Sequence, residues 1–476
     1  MGFRWSEQRN PLEQKPINNI PIPFMSAPNP PPSSGDKSRA KKYSFPLEDP
    51  VRLADLREWP PAEINKLLQR YRIDLRYEDD DDRWLHELLA VHIENGCRVV
   101  GEGTLQILPD GFGFLRSAQV DYLSGPDDIY VSPSQIRKFN LCNGDQISGS
   151  IRPPKDSERY YALLRVQGIN GTPPSDTLRQ VFSQLDPIPP TQKMSLNAEN
   201  ETATDMLDMF VPMGLGQRAL MSCPSGGGKT KLLQQIVKSV AQSHSEMRIF
   251  VLLVDQNPED GTTWNEELAG TGVEIINSTF EESAARHLDV ASMIFEKSCR
   301  MVEASRDVFV IIDSLSALAR IEMEKLHAKK TSPDRFDEDS EDLSLNADSI
   351  PWTRKRLALA RNTAVGGSLS ILATLDRDSD LDHDIADRLL PKANCRIILD
   401  PQLIQQRVWP PIDLEKSQSD FEEAIQGDAL DRINPLRAAF MDADSAALME
   451  RLVSRMEDFS SNAEFLKSTN AADLQG

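Results

Sequence analysis

The chain has 476 residues, enough for two or three domains and a full-size core. Its formal net charge of −21 argues against non-specific coating of nucleic acid, while leaving a local RNA or DNA site open. Five widely spaced cysteines (Cys97, Cys142, Cys223, Cys299, Cys395) form no C-x-x-C pair, so a disulfide frame or a zinc site is not expected. They read as reduced, packed thiols of a cytoplasmic protein. No apolar run reaches membrane-spanning length and the N-terminus lacks a signal-type apolar stretch, so no membrane partner is expected.

Residues 1–47 are rich in Pro, Asn and Ser, with Arg39, Lys41 and Lys42 near the end. Such a composition cannot bury a core and reads as a disordered arm. Residues 48–100 form a helical subdomain. Leu53, Leu56, Ile64, Leu67 and Leu68 fall at helical spacing, as do Leu85, Leu88, Leu89 and His92. The acidic run 78–82 between them reads as a solvated turn. His86 and His92 have no ligand-spaced partners and read as packing or surface residues.

In residues 101–166 short apolar runs alternate with turn signals (Pro109-Asp110-Gly111, Asn143-Gly144-Asp145, Pro153-Pro154), which predicts a small five-stranded β-barrel. One strand carries Gly111-Phe112-Gly113-Phe114-Leu115-Arg116. The two-residue strand period puts Phe112 and Phe114 on one face. Two aromatics beside an arginine can stack bases, and GFGF in a small barrel is similar to the cold-shock type of OB fold. Placement of one or both rings in the core remains the alternative. A proline-bearing polar connector, 167–205, follows.

Residues 206–412 alternate β and α patterns. Buried strands are predicted at 249–254 (IFVLLV), 308–312 (VFVII) and 368–373 (SLSILA), with helices at 284–306 and 352–362. This is an α/β arrangement with a parallel sheet, whose sites belong at the C-terminal strand ends. The stretch ALMSCPSGGGKTKLLQQ (219–235) is a phosphate-binding loop. Gly226, Gly227 and Gly228 let backbone N–H groups cradle a phosphate. Lys229 reaches its oxygens, Thr230 is placed to hold Mg²⁺, and Lys231 follows within the nucleotide-binding set. Cys223 stands where the full pattern has its first glycine. Asp313, after VFVII, is a Walker-B aspartate placed to hold Mg²⁺. The expected cofactors are therefore ATP and Mg²⁺. Residues 413–476 read as a polar helical region, with Ala438, Phe440, Ala447, Leu448, Leu452 and Met456 on its apolar face and a fraying last dozen residues.

The order of helical pair, GFGF barrel, connector and P-loop domain resembles the bacterial transcription termination factor Rho family. The likeness runs through GEGTLQILPDGFGFLRS, YLSGPDDIYVSPSQIRKFNL, GDQISGSIRPPK, VPMGLGQRAL, STFEESAARHLDVA, VIIDSLSALAR, GGSLSILAT and RVWPPID, from about residue 50 to 460. It implies a RecA-like P-loop domain in a ring-shaped hexamer, or a mixed ring with another Rho. Such a ring binds nascent single-stranded RNA and uses ATP, as an RNA-dependent ATPase and helicase, to act on the RNA polymerase elongation complex. By resemblance Phe112, Phe114, Arg116, Tyr130 and Arg137 form the primary RNA site, and Trp409 stacks on adenine.

Three departures fall at the chemistry. Gln256 stands where the family's Asp-Glu-Arg-Pro-Glu-Glu has its water-polarising Glu; Gln can orient water but cannot act as a base. Asn257 replaces the next arginine. In Ser417-Gln418-Ser419-Asp420-Phe421-Glu422-Glu423, Asp420 sits at the place of the arginine finger, a residue worth roughly 10³ to 10⁵ in rate. Lys416 is the cation near it in sequence. Ala317 replaces another family arginine, with Arg320 retained. Finally, two stretches at the family's RNA-gripping channel loops are acidic: 333–344 (PDRFDEDSEDLS) and 376–388, with aspartates at 376, 378, 380, 382, 384 and 387. Six copies of each would line a channel with negative charge and repel RNA. The residues thus support two expectations, a working Rho-type translocase and a catalytically degenerate relative that binds RNA and nucleotide.

Overall fold

The structure, a computed structural model, describes residues 50–77, 83–155, 158–175, 179–196, 201–330, 350–440 and 445–475. The Pro-rich arm and the acidic runs 78–82 and 333–344 lie outside the described residues.

Helices α1 (Pro61–Arg70) and α2 (Arg83–Glu94) bury the leucines expected of them, together with His92. Five strands follow: β1 (Val99–Ile107), β2 (Gly113–Arg116), β3 (Ile129–Val131), β4 (Gln146–Arg152) and β5 (Tyr161–Ile169). They pair in the order β1-β2-β3-β5-β4, and β4 returns to β1, so the barrel closes. Closure removes free edges from a short-stranded sheet. Ile64, Leu68, Trp84 and Leu88 share one core with Leu105, Leu115, Ile129, Ile147 and Tyr161. The helices therefore cap the barrel through continuous apolar packing.

The second sheet is built on β6 (Arg218–Cys223), β7 (Arg248–Gln256), β8 (Glu274–Thr279), β9 (Val308–Asp313), β10 (Ser368–Asp376) and β11 (Cys395–Ile398). Their order is β8-β7-β9-β10-β6-β11, and every pairing among them is parallel. Alternate residues of β7 show why the strands read as unbroken apolar runs. Ile249, Val251 and Leu253 enter one core with helix α3 (Lys229–Ser243), and Phe250, Leu252 and Val254 enter another with α4 (Ala284–Glu303). Both faces are covered, as parallel sheets require.

Three expectations are corrected. The helix expected over 352–362 spans only Pro351–Leu357; Arg361–Thr363 is an antiparallel strand against β10. The C-terminal residues do not fray: Phe465 and Leu474 are almost fully buried in the core beside α3, and Arg451 donates to the Leu474 carbonyl at 3.1 Å. On the helix Ser445–Glu457 the inward residues include Leu448, Met449 and Leu452, whereas Ala447, like Ala438 before it, is exposed.

The barrel is tied to the P-loop sheet by buried polar contacts. Lys297 on α4 reaches Glu274 of β8 at 2.8 Å and the Tyr122 hydroxyl of the barrel at 2.7 Å. Arg179 pairs with both Asp145 of the barrel and Glu303 of α4.

Candidate RNA face and nucleotide site

Phe112 and Tyr130 are half-buried, with ring centroids 5.7 Å apart. Phe114 is 9% exposed, yet its neighbours are the rings of Phe112, Tyr130 and Tyr160, at 5.8, 6.2 and 4.8 Å, and not the barrel core. Strand alternation sends Leu115 into that core and Phe114 to the outer face. Of the two alternatives left by the sequence, the structure puts both phenylalanines in an aromatic cluster on the surface side. Tyr160, which the sequence reading missed, completes it. Its signal was present in the ERYYALLRV run, where Tyr161 goes to the core and its neighbour therefore faces out.

Arg116 is placed differently from expectation. It is buried at 7% exposure, pairs with Asp128 and donates from Nε to Gln106 Oε1 at 2.9 Å, while its guanidinium lies 5.2 Å from the Phe114 ring centroid. Burial pushes the Asp128 carboxyl above its ordinary value, with the Gly125 N–H and Arg116 working against that. Arg116 thus backs the aromatic cluster and spends its charge on an internal carboxylate. Arg137 is exposed on the short helix Pro133–Lys138, whose start is fixed by a capping box between Ser132 and Gln135.

The nucleotide site gathers at the C-terminal ends of four adjacent strands: the loop after β6, Gln256 ending β7, Asp313 ending β9 and Asp376 ending β10. Loop residues 223–231 and Asp376 enclose a cavity of about 200 Å³. Gly226 and Gly228 both have φ of +74°, and Gly228 opens α3; only glycine adopts this at no steric cost. A Cβ on Gly228 would meet the Trp409 ring at 2.5 Å, so the indole lies against the loop itself. Lys231 Nζ sits 4.3 Å from the Trp409 ring centroid, a cation–π contact. The Cys223 thiol is buried, which pushes it up to about 12 and keeps it neutral.

Lys229 Nζ lies 2.9 Å from Asp313 Oδ1 and 3.0 Å from Asp376 Oδ1. Burial works against its charge, but the two carboxylates outweigh that and hold it above the usual lysine value. Asp313 is itself buried and accepts from Thr374 Oγ1 at 2.9 Å. The Asp313 carboxylate and the Thr230 hydroxyl of the loop are oxygen donors, the kind that fits Mg²⁺. Gln256 donates its side-chain amide to the carbonyls of Val254 and Asp313 at 3.2 and 3.4 Å, which places it beside the Walker-B strand end. Asn257 bonds Asp260 through both its backbone and its side chain, capping the helix Pro258–Glu267.

The acidic stretch 376–388 does not form a loop of outward charges. After Asp376 the chain enters α5 (Asp380–Leu389), and two of its aspartates turn inward, Asp376 to Lys229 and Asp382 to Arg320, while the exposed Asp378 bonds Ser225 of the phosphate loop. Asp380, Asp384 and Asp387 stay exposed. Cations in the P-loop and on the neighbouring helix thus pair with two of the six carboxylates. Asp420 also has a cation of its own. It accepts from Arg396 Nη2 at 2.7 Å, across the antiparallel pairing of Gln418–Ser419 with β11. Lys416 bonds Asp413 at 2.8 Å, so Arg396 and not Lys416 is the partner of Asp420.

Residues 101–175 match the family model of the Rho termination factor RNA-binding domain, and residues 203–419 match that of the ATP synthase alpha/beta family nucleotide-binding domain. The molecule is thus a P-loop nucleotide-binding protein that carries an RNA-binding barrel. The transcription termination factor Rho of Rhodopirellula baltica is 40% identical over 398 residues, 81% of this chain and 75% of that protein. The Rho factors of Chromobacterium violaceum and Pseudomonas fluorescens are 37% and 36% identical, each over 88% of this chain and 99% of their own length. This chain belongs to the transcription termination factor Rho family. Among the described residues no helix is long and apolar enough to cross a membrane.

Proposed function

We propose that this chain is a Rho-family factor that binds single-stranded RNA on its barrel and an adenine nucleotide at its P-loop, with hydrolysis slowed far below that of a working motor. In this reading Phe112, Phe114, Tyr130 and Tyr160 stack bases, with Arg137 at the edge of the face. The loop N–H groups and Lys229 hold the phosphates, and Trp409 supports the base. Thr230 and Asp313 would hold Mg²⁺, which neutralises phosphate charge when bound. The cytoplasm is the expected compartment, and the RNA polymerase elongation complex the expected target. Assembly is as a six-subunit ring, alone or mixed with another Rho.

The observation that carries the slow-hydrolysis reading is Asp420. It stands at the finger position with a negative charge and already pairs with Arg396. Gln256 adds to it, because an amide cannot take a proton from the attacking water. A working translocase is the second reading, favoured by identity that extends over nearly the whole length of two relatives.

The two separate in an ATP-turnover assay on the purified protein with and without poly(C) RNA. Slow turnover that RNA leaves unchanged is expected. Gln256→Glu should raise it by about a hundredfold or more, within the range of general-base contributions. RNA-stimulated turnover of wild type at about 1 s⁻¹ or faster would establish the motor reading instead.

A further inference from the structure

The tripeptide that leaves β10 is anchored to the phosphate loop at each of its residues. Asp376 Oδ1 lies 3.0 Å from Lys229 Nζ, and its Oδ2 accepts from Ser314 Oγ at 2.7 Å. Arg377 donates from Nε to Ser222 Oγ, at the end of the P-loop strand, at 2.9 Å. Asp378 accepts from the Ser225 backbone N–H at 2.8 Å through one carboxylate oxygen and from Ser225 Oγ at 2.6 Å through the other. Two carboxylates therefore occupy donors of the loop, and the arginine between them fixes the segment against the sheet.

The location of these carboxylates gives the contact its consequence. In a P-loop the amides at the start of the helix cradle the inner phosphates, and the lysine reaches outward to the β/γ oxygens. Asp376 shares that lysine, so it marks the side of the cavity where a terminal phosphate must arrive. An ammonium has three N–H donors. Asp313 and Asp376 engage two of them. A diphosphate on the amides of 226–230 carries one phosphate fewer towards the Asp376 side of the cavity. A triphosphate brings its additional negative charge against Asp376, which lines the partly enclosed cavity, where like charges repel more strongly than in bulk water, and towards Asp378, exposed beside Ser225 of the loop.

We propose that the Asp376–Asp378 segment makes this P-loop select nucleoside diphosphates over triphosphates by holding carboxylates where the γ-phosphate would enter. This rests on the reading of the loop as a nucleotide site, and it makes Asp376 and Asp378 specificity-determining residues.

The test is calorimetric titration of the full chain with ADP and with ATP, in excess Mg²⁺, for wild type, Asp376→Asn/Asp378→Asn, Asp384→Asn and Lys229→Ala. Asp384, exposed on α5, controls for general loss of surface charge. Wild type should bind ADP about tenfold or more tighter than ATP, a difference that the double variant narrows to about twofold by gaining ATP affinity. Asp384→Asn should keep the wild-type ratio. Equal affinities or an ATP preference in wild type would overturn the proposal, as would an unchanged ratio in the double variant with its melting temperature preserved. Loss of both nucleotides in Lys229→Ala supports the nucleotide site independently. If neither wild type nor the double variant binds either nucleotide, the site reading itself falls, and the proposal with it.

Discussion

In the barrel, the buried cation Arg116 is neutralised by Asp128 behind the aromatic face, while Phe112 and Tyr130 stay half-open in front. In the P-loop the arrangement is reversed. The cation that a ligand needs, Lys229, is at the front, and its carboxylate partners Asp313 and Asp376 stand there with it. One region has internal charge compensation and a free stacking surface; the other spends its ligand-facing charge on itself. The difference teaches that retained motif residues do not by themselves make a site receptive. What matters is whether their donors point at solvent or at the protein's own acceptors. Stacking surfaces are harder to occupy internally, since a neighbouring ring still leaves one face exposed.

Removing one side of the internal pair is the severest way to break this contrast. Asp128→Ala strands the Arg116 guanidinium in a buried position, and we expect a stability loss of about 3–5 kcal/mol in chemical denaturation. RNA affinity measured on the remaining folded protein should change less than about threefold. If affinity collapses while stability holds, Arg116 and Asp128 face the RNA directly, and the contrast between front and back is lost.

A smaller effect is expected at the face itself. Phe112→Ala removes one ring of a solvent-facing cluster, so binding of a short oligo(C) strand should weaken by the equivalent of about 1–3 kcal/mol per stacked base. The fold should survive, because the barrel core is built from Leu105, Leu115, Ile129 and their neighbours. Unaltered affinity in a filter-binding titration would remove the stacking role.

The smallest effect tests whether the P-loop domain crowds like charges elsewhere as well. Asp205, half-buried near Asp208 and Glu201, is raised from 3.8 to about 6, by burial first and by those two carboxylates next. Its folded-state value lies above the unfolded one, so the folded state holds the proton more tightly between the two. Stability is therefore lost as pH rises from about 4 to 6 and is flat above that window. Asp205→Asn should raise the melting temperature at pH 7.5 and leave it unchanged near pH 4. Equal effects at both pH values would show that hydrogen bonding and not charge sets the difference.

Much of the fold was legible along the chain. The strands 249–254, 308–312 and 368–373 and the leucine spacing of α1 and α2 are local patterns whose period alone reports burial. The strands at Glu274–Thr279 and Cys395–Ile398 escaped because they close the parallel sheet at its margins, where burial alternates and the apolar run breaks. The tail helices escaped for a related reason: Phe465 and Leu474 are isolated apolar residues whose burial depends on a surface formed by distant segments.

The sequence by itself determined the barrel, the phosphate loop, the Walker-B aspartate and the alternation that puts Phe112 and Phe114 on one side, because each depends on residues within a few positions of one another. Only the tertiary structure decided how the charges are spent. Lys229 meets Asp376 across 147 positions, Ser225 meets Asp378 across 153 and Arg396 meets Asp420 across a strand ladder. Charge carries no periodic signature. The same aspartate reads alike whether it faces a channel or a lysine, and only the packing of β10 beside β6 brings Asp376 and Asp378 to the phosphate loop.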